Sequence, residues 1–281
     1  MKKAKGNKEL RLFLLIAIGW SWLFWLPEIF WDINLYLAPF GPLVAAFFLT
    51  YLNEKKQGVL RLAKRGLAYK FNLIWYLPVI FLMLIIAGLS TLIAGWLEGD
   101  AANYTIMTDP WLIIRNFIYI LFLGGPLQEE FGWRGYALPR LLKKYKAVTA
   151  SIILGIIWSI WHLPLNFINQ AGLQYQAAIT YIISSLILMV FVSILFTWIY
   201  QNTGGSIFAV LIFHTMLNLS AYVIFPVFAM KIGPLIFMGL IVLTTLIVTF
   251  VYGYQNLSPQ KINIYAESNL KEKGAHYNEK I

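Results

Sequence analysis

The segment LGGPLQEEFGWRGYALPRLLKKYK, residues 123–146, decides how this chain folds. It starts in an apolar run, is punctuated at Gly124, Gly125 and Pro126, and then carries the adjacent glutamates Glu129 and Glu130. Arg134 follows Glu130 by four residues, and the segment closes on the basic cluster Lys143, Lys144 and Lys146. If a helix ended at Gln128, both carboxylates would lie at a surface. If it runs on to Lys143, they lie deep in an apolar layer. There an ionisable side chain costs roughly 2.5–3.5 kcal/mol on insertion scales and needs a partner or a function.

The rest of the chain supplies that layer. Of its 281 residues 60% are hydrophobic and only 12% charged, where soluble domains carry about 25% charged residues. The apolar residues form runs of roughly 17–25, the length that crosses a bilayer as a helix. Spans are expected at 10–31, 35–52, 73–97, 111–142, 148–168, 177–200, 206–228 and 233–254. The expected fold is therefore all-α: a polytopic membrane helical bundle of about eight transmembrane helices. Residues 1–254 form one integral membrane domain, with a polar cytoplasmic tail over 255–281. The first run is long, rich in Trp and Phe, and has no small-residue cleavage site, so it reads as an anchor and not a signal peptide. The absence of cysteine excludes disulfide and thiolate chemistry.

The formal charge of +10 is explained by its distribution. Residues 1–11, 53–72, 134–146 and the tail from Gln255 hold five, six, five and four Lys or Arg, which is 20 of the 22. The opposite connections hold Arg115 and Lys231, with Glu28, Asp32, Glu98, Asp100 and Asp109. This asymmetry places the basic side and both termini in the cytoplasm. The bilayer, including anionic headgroups, is the expected partner of that charge, and no nucleic acid is needed to account for it.

Two of the three histidines lie inside expected spans: His162 in WSIWHLPLN and His214 in FAVLIFHTMLNLS. The third, His276, is in the tail. Asn218 follows His214 by four residues and shares its helix face. At about 1.5 Å per residue, His162 and Asn218 lie roughly 20 and 18 Å from the cytoplasmic ends of their spans. A helix continued to Lys143 puts Glu129 at roughly the same depth. Glu130 and Arg134 have the spacing of an intrahelical ion pair, which leaves Glu129 available for chemistry.

Three motifs carry these residues in order: EEFGWR at 129–134, WSIWH at 158–162 and HTMLN at 214–218. In this the chain resembles the CPBP family, the CAAX prenyl endopeptidases of the converting-enzyme type and their bacterial relatives, some of them linked to bacteriocin immunity. The resemblance covers the motif core, 129–218. It departs at Trp158, where phenylalanine is the usual aromatic residue.

The resemblance implies an intramembrane endopeptidase. Glu129 and His162 would activate water, His214 and Asn218 would form an oxyanion hole, and Glu130 and Arg134 would support the site. Those residue types suit the chemistry, because a carboxylate held away from bulk water can take a proton from a weak nucleophile. An imidazole N–H and an amide NH₂ can also donate to a developing oxyanion. The same residues admit a second mechanism, with Glu129, His162 and His214 as ligands of a single divalent metal such as zinc. No HExxH sequence is present, and a metal-independent glutamate mechanism is favoured. The expected substrate is a peptide or membrane-protein segment, at the bacterial cytoplasmic membrane. The sequence does not define the oligomeric state.

Plainer readings stand beside these. The glutamates and arginine could form an ion pair at an interfacial turn. His162 could bond a neighbouring carbonyl or Asn166, and His214 with Asn218 could simply join helices. The alternative function is a proton-coupled transporter or a bacteriocin-immunity membrane protein without proteolysis.

Overall fold

The structure, a computed structural model, describes residues 2–99, 109–169, 175–225 and 227–259. Asp100, His276 and the tail beyond residue 259 lie outside the described residues. The described chain is helical, without a β-strand. Its helices are α1 (Lys2–Trp31), α2 (Gly41–Arg65), α3 (Tyr76–Glu98), α4 (Pro110–Leu123), α5 (Pro126–Gly132), α6 (Leu138–Leu142), α7 (Ala147–Trp161), α8 (Leu163–Asn169), α9 (Tyr175–Asn202), α10 (Ile207–Leu219) and α11 (Gly233–Tyr252).

Among the described residues six helical stretches are long and apolar enough to cross a membrane: Lys8–Trp31, Leu73–Glu98, Pro110–Leu142, Ile179–Asn202, Ile207–Ile224 and Gly233–Tyr252. The polytopic α-helical membrane bundle is thus the observed fold. The two other expected spans take different forms. The 35–52 run lies largely within α2, which does not stop at its apolar end. It passes a non-helical residue, Lys55 at φ 55°, and continues to Arg65 as a polar segment. The 148–168 run divides at His162 into α7 and α8, because Pro164 has no N–H to continue the ladder.

The long 111–142 segment is broken where the Gly-Gly-Pro sequence predicts. α4 begins at Asp109, whose side chain accepts from Trp111 N–H at 3.1 Å, and ends at Gly124. After α5 the helix widens into a π-helical turn, Trp133–Ala137, before α6. All five residues of that turn are buried, as expected of a segment surrounded by other helices. Trp133 meets Phe13 and Trp161 edge-on at 5.6 and 5.7 Å. Each such pair contributes about 0.5–1.5 kcal/mol beyond simple burial. Gly132 lets α5 press on α2, since a Cβ there would meet the Pro42 carbonyl oxygen at 2.6 Å. Arg65 ties the end of α2 to this region, donating to Gly135 O at 3.0 Å and to the Tyr200 hydroxyl at 2.6 Å.

The segment after α11 packs against the start of α7 and the end of α9. Gln255 O and Tyr254 O accept from the first two N–H groups of α7, at 2.7 and 3.2 Å, groups that a helix cannot satisfy internally. Asn256 O and Leu257 O accept from Gln201 and Asn202 at the end of α9.

Candidate active site

The site is built at the break between α4 and α5. Gly125 adopts φ +113°, a region open to glycine. Gln128 secures the turn: its Oε1 accepts from Gly125 N–H at 3.2 Å and its Nε2 donates to Phe122 O at 2.9 Å. Glu129 N–H bonds Gly125 O at 2.9 Å, which starts α5 and turns the Glu129 carboxylate back over the break. A Cβ at Gly125 would stand 2.7 Å from Glu129 Oε1. The other oxygen, Oε2, accepts from the Trp158 indole N–H at 2.6 Å.

Glu130 points elsewhere and is fully enclosed. Arg134 Nη1 reaches both of its oxygens, at 2.9 and 3.1 Å, and both side chains have no exposure. The intrahelical ion pair read from the spacing is therefore present, and it is buried and not interfacial. The structure also corrects the placement of Arg134 among the cytoplasmic basic residues: its guanidinium lies over the rings of Trp158 and Phe196, at 4.6 and 4.1 Å. Removing one member of such a pair typically costs about 3–5 kcal/mol, because the remaining charge is left without a partner.

His214, from α10, joins Glu130 and not Glu129: its Nδ1 lies 2.8 Å from Glu130 Oε1. A carboxylate only accepts, so Nδ1 carries a proton, and a neutral His214 has a bare Nε2. His162 stands at the end of α7 with Nδ1 at 3.0 Å from Trp158 O. A carbonyl also only accepts, so the His162 Nε2 is an acceptor as well. The plainer expectation for His162, a bond to a nearby carbonyl, thus holds for one nitrogen and leaves the other free to act. Asn166 meets His162 through the backbone alone, its N–H donating to His162 O at 2.9 Å, while its side chain donates to the Ser185 hydroxyl. Asn218 Nδ2 donates to Gly124 O at 3.3 Å, which brings the amide to the break that Glu129 overlies.

Exposure is graded across the cluster. Glu130 and Arg134 are sealed, Glu129 and His214 retain 5% and 4%, and His162 and Asn218 are only partly buried. His162 and Asn218 are thus the more open members of the cluster. Glu129, with one oxygen uncommitted, can exchange a proton with a molecule entering there.

Glu129, His162 and His214 do not come together as metal ligands. Among the described residues no three His, Asp or Glu side chains are grouped to hold one ion. The Trp158 ring lies 5.7 Å from each imidazole. The residues present do not fit a resident metal.

Two contributors escaped the sequence reading. Trp158 entered it as an aromatic position in a motif, while its N–H is what holds Glu129. Gln128 was passed over, although a Gln three residues after a Gly-Gly pair is a recognisable cap for a helix restart.

Comparison with known proteins converges on the same region. Residues 110–220 match the family described as "Type II CAAX prenyl endopeptidase Rce1-like". The chain is 30% identical over 187 residues to CAAX prenyl protease 2 of Methanococcus maripaludis, covering 63% of this chain and 69% of that one. It is 25% identical over 176 residues to Lysostaphin resistance protein A of Staphylococcus haemolyticus, covering 63% of this chain and 43% of that one. The matched family segment runs from the start of α4 through the end of α10 and contains all six motif residues.

Proposed function

Because the chain belongs to the Rce1-like type II CAAX prenyl endopeptidase family of intramembrane proteases, we propose that it hydrolyses a peptide bond at the α4–α5 break with Glu129 as general base. The observation that carries this reading is the division of labour between adjacent carboxylates. Glu130 is committed to Arg134 and His214, whereas Glu129 is held through one oxygen by Trp158.

In the proposed reaction water enters beside Glu129 Oε1 and the partly open His162. Its oxygen attacks the scissile carbonyl carbon as its proton passes to Glu129, with the bare Nε2 of His162 orienting the second hydrogen. The tetrahedral oxyanion accepts from the Asn218 amide, which has a second N–H beyond the one bonded to Gly124. His214 contributes when doubly protonated, as a cation paired with Glu130. The C–N bond then breaks and the proton on Glu129 passes to the departing amine, giving an amine and a carboxylic acid that keeps the second hydrogen of the water until it ionises to solvent. No metal takes part in this scheme.

The substrate is a peptide that reaches the site from the bilayer, at the cytoplasmic membrane with the basic face inward. The archaeal relative is named for CAAX prenyl proteolysis, so a prenylated peptide with a CAAX terminus is the first defined substrate to try. The decisive experiment compares peptide termini in membranes containing the intact protein with those containing Glu129→Gln. Glutamine keeps an oxygen to accept from Trp158, so the fold is retained. Termini present only with the intact protein support the reading. Identical sets at equal expression overturn it.

A further inference from the structure

Trp158 contacts more of this cluster than any residue with a proposed chemical role. Its indole N–H donates to Glu129 Oε2, and its carbonyl accepts from His162 Nδ1. Its ring lies under the Arg134 guanidinium and meets His162, His214 and Phe196 edge-on, each at 5.7 Å. The residue is 3% exposed, so bulk water does not compete for the N–H. Any aromatic ring could supply the packing and the cation–π contact. Only an indole supplies the donor, and this position is where the chain departs from the phenylalanine usual in the motif.

We propose that Trp158 is a positioning residue for the base: its indole N–H occupies Oε2 of Glu129 and leaves Oε1 as the oxygen that takes the proton from water. Oε1 is the oxygen that overlies Gly125. Asn218 reaches the same break through Gly124 O. The indole thereby aims the base at the same break between α4 and α5 that the Asn218 amide reaches on its own. A carboxylate without this bond is free to rotate both oxygens, and misplacement of a reacting group by a fraction of an ångström lowers the productive fraction. The inference rests on Glu129 being the base.

The test removes the donor and keeps the ring. Benzothienylalanine at position 158 has sulfur in place of the N–H with nearly the same shape, and Trp158→Phe is its natural counterpart. In nanodiscs labelled with ¹⁵N-indole, the resonance lost in Trp158→Phe is expected far downfield and is expected to move upfield in Glu129→Gln. An unmoved resonance overturns the proposal. On a peptide spanning a bond whose cleavage depends on Glu129, benzothienylalanine should lower kcat about tenfold while KM stays within about twofold. An unchanged kcat, or a rise in KM alone, overturns it, because a packing role would act through folding or substrate binding. The two failures are distinct. If Glu129→Gln cleaves as fast as the intact protein, the base assignment falls and takes this inference with it. If Glu129→Gln is inactive and the benzothienylalanine protein is unimpaired, only the role of Trp158 falls.

Discussion

Arg134 and His214 meet on a single oxygen: Oε1 of Glu130 accepts from Arg134 Nη1 at 2.9 Å and from His214 Nδ1 at 2.8 Å, with 84 residues separating His214 from the glutamate. One carboxylate therefore joins α5, the π-helical turn and α10. It does so with no exposure to solvent. Glu130 is the electrostatic keystone of the cluster, and Glu129 beside it is the proposed base.

Glu130→Gln should accordingly cost far more stability than Glu129→Gln. A glutamine cannot balance the buried guanidinium, and about 3–5 kcal/mol is expected from an unpaired buried charge. Replacing both partners, as in Glu130→Leu with Arg134→Met, should recover much of the loss, because neither charge then needs a counterion. Thermal melting in detergent across the four proteins of the double-mutant cycle measures the coupling. Equal losses for the double and single replacements would falsify the keystone role.

Gly125→Ala tests the break itself. At φ +113° an L side chain is strained, and its Cβ would displace Glu129 Oε1. A loss of about 1–3 kcal/mol is expected, together with a fall in cleavage exceeding what the lost folded fraction explains. Activity normalised to folded protein distinguishes the two contributions. Retention of full normalised activity would show that Oε1 does not need its place over Gly125.

Cleavage should survive strong chelators. Among the described residues Glu129, His162 and His214 are not grouped to hold one ion, and the proposed base needs no Lewis acid. Activity after prolonged treatment with a chelator, alongside the metal content of the same preparation, provides the check. Stoichiometric zinc whose removal abolishes cutting, and whose return restores it, would replace the glutamate mechanism with a metal one.

Truncation after Tyr252 should destabilise the bundle, whereas truncation after Pro259 keeps the clamp on α7 and α9. The first removes the carbonyls of Tyr254 and Gln255 that cap α7, and those of Asn256 and Leu257 that receive Gln201 and Asn202. A fall in melting temperature of several degrees is expected for a loss on the order of 1–3 kcal/mol. Equal melting of the two shortened proteins would show that water replaces these carbonyls without cost.

Local chemistry was legible in the sequence, and long-range pairing was not. Gly124, Gly125 and Pro126 announced the break because each restricts or frees the backbone in a way that needs no partner. The same holds for the Glu130–Arg134 pair, whose spacing is intrinsic to one helix. Which glutamate His214 would meet depends on the rotation of α10 against α5, and a residue's depth along a helix says nothing about rotation. The π-helical turn at 133–137 likewise carries no sequence signal, and it shifts the angular positions of the residues that follow it in α6. The extension of α2 past Lys55 was hidden for another reason. Charged residues ended the apolar run, and a membrane-based reading ended the span with it, although after a kink at Lys55 a second helical stretch runs to Arg65.

The intrahelical placement of the Glu130–Arg134 pair also bears on how the protein is made. Residues 126–142 emerge from the ribosome well before α10, so His214 is not yet available when this segment meets the translocon. A carboxylate waiting for a partner 84 residues downstream would enter lipid as an isolated ion. Because Arg134 is already within reach on the same segment, the nascent helix carries its own counterion. The later arrival of His214 completes a network that was neutral from the start.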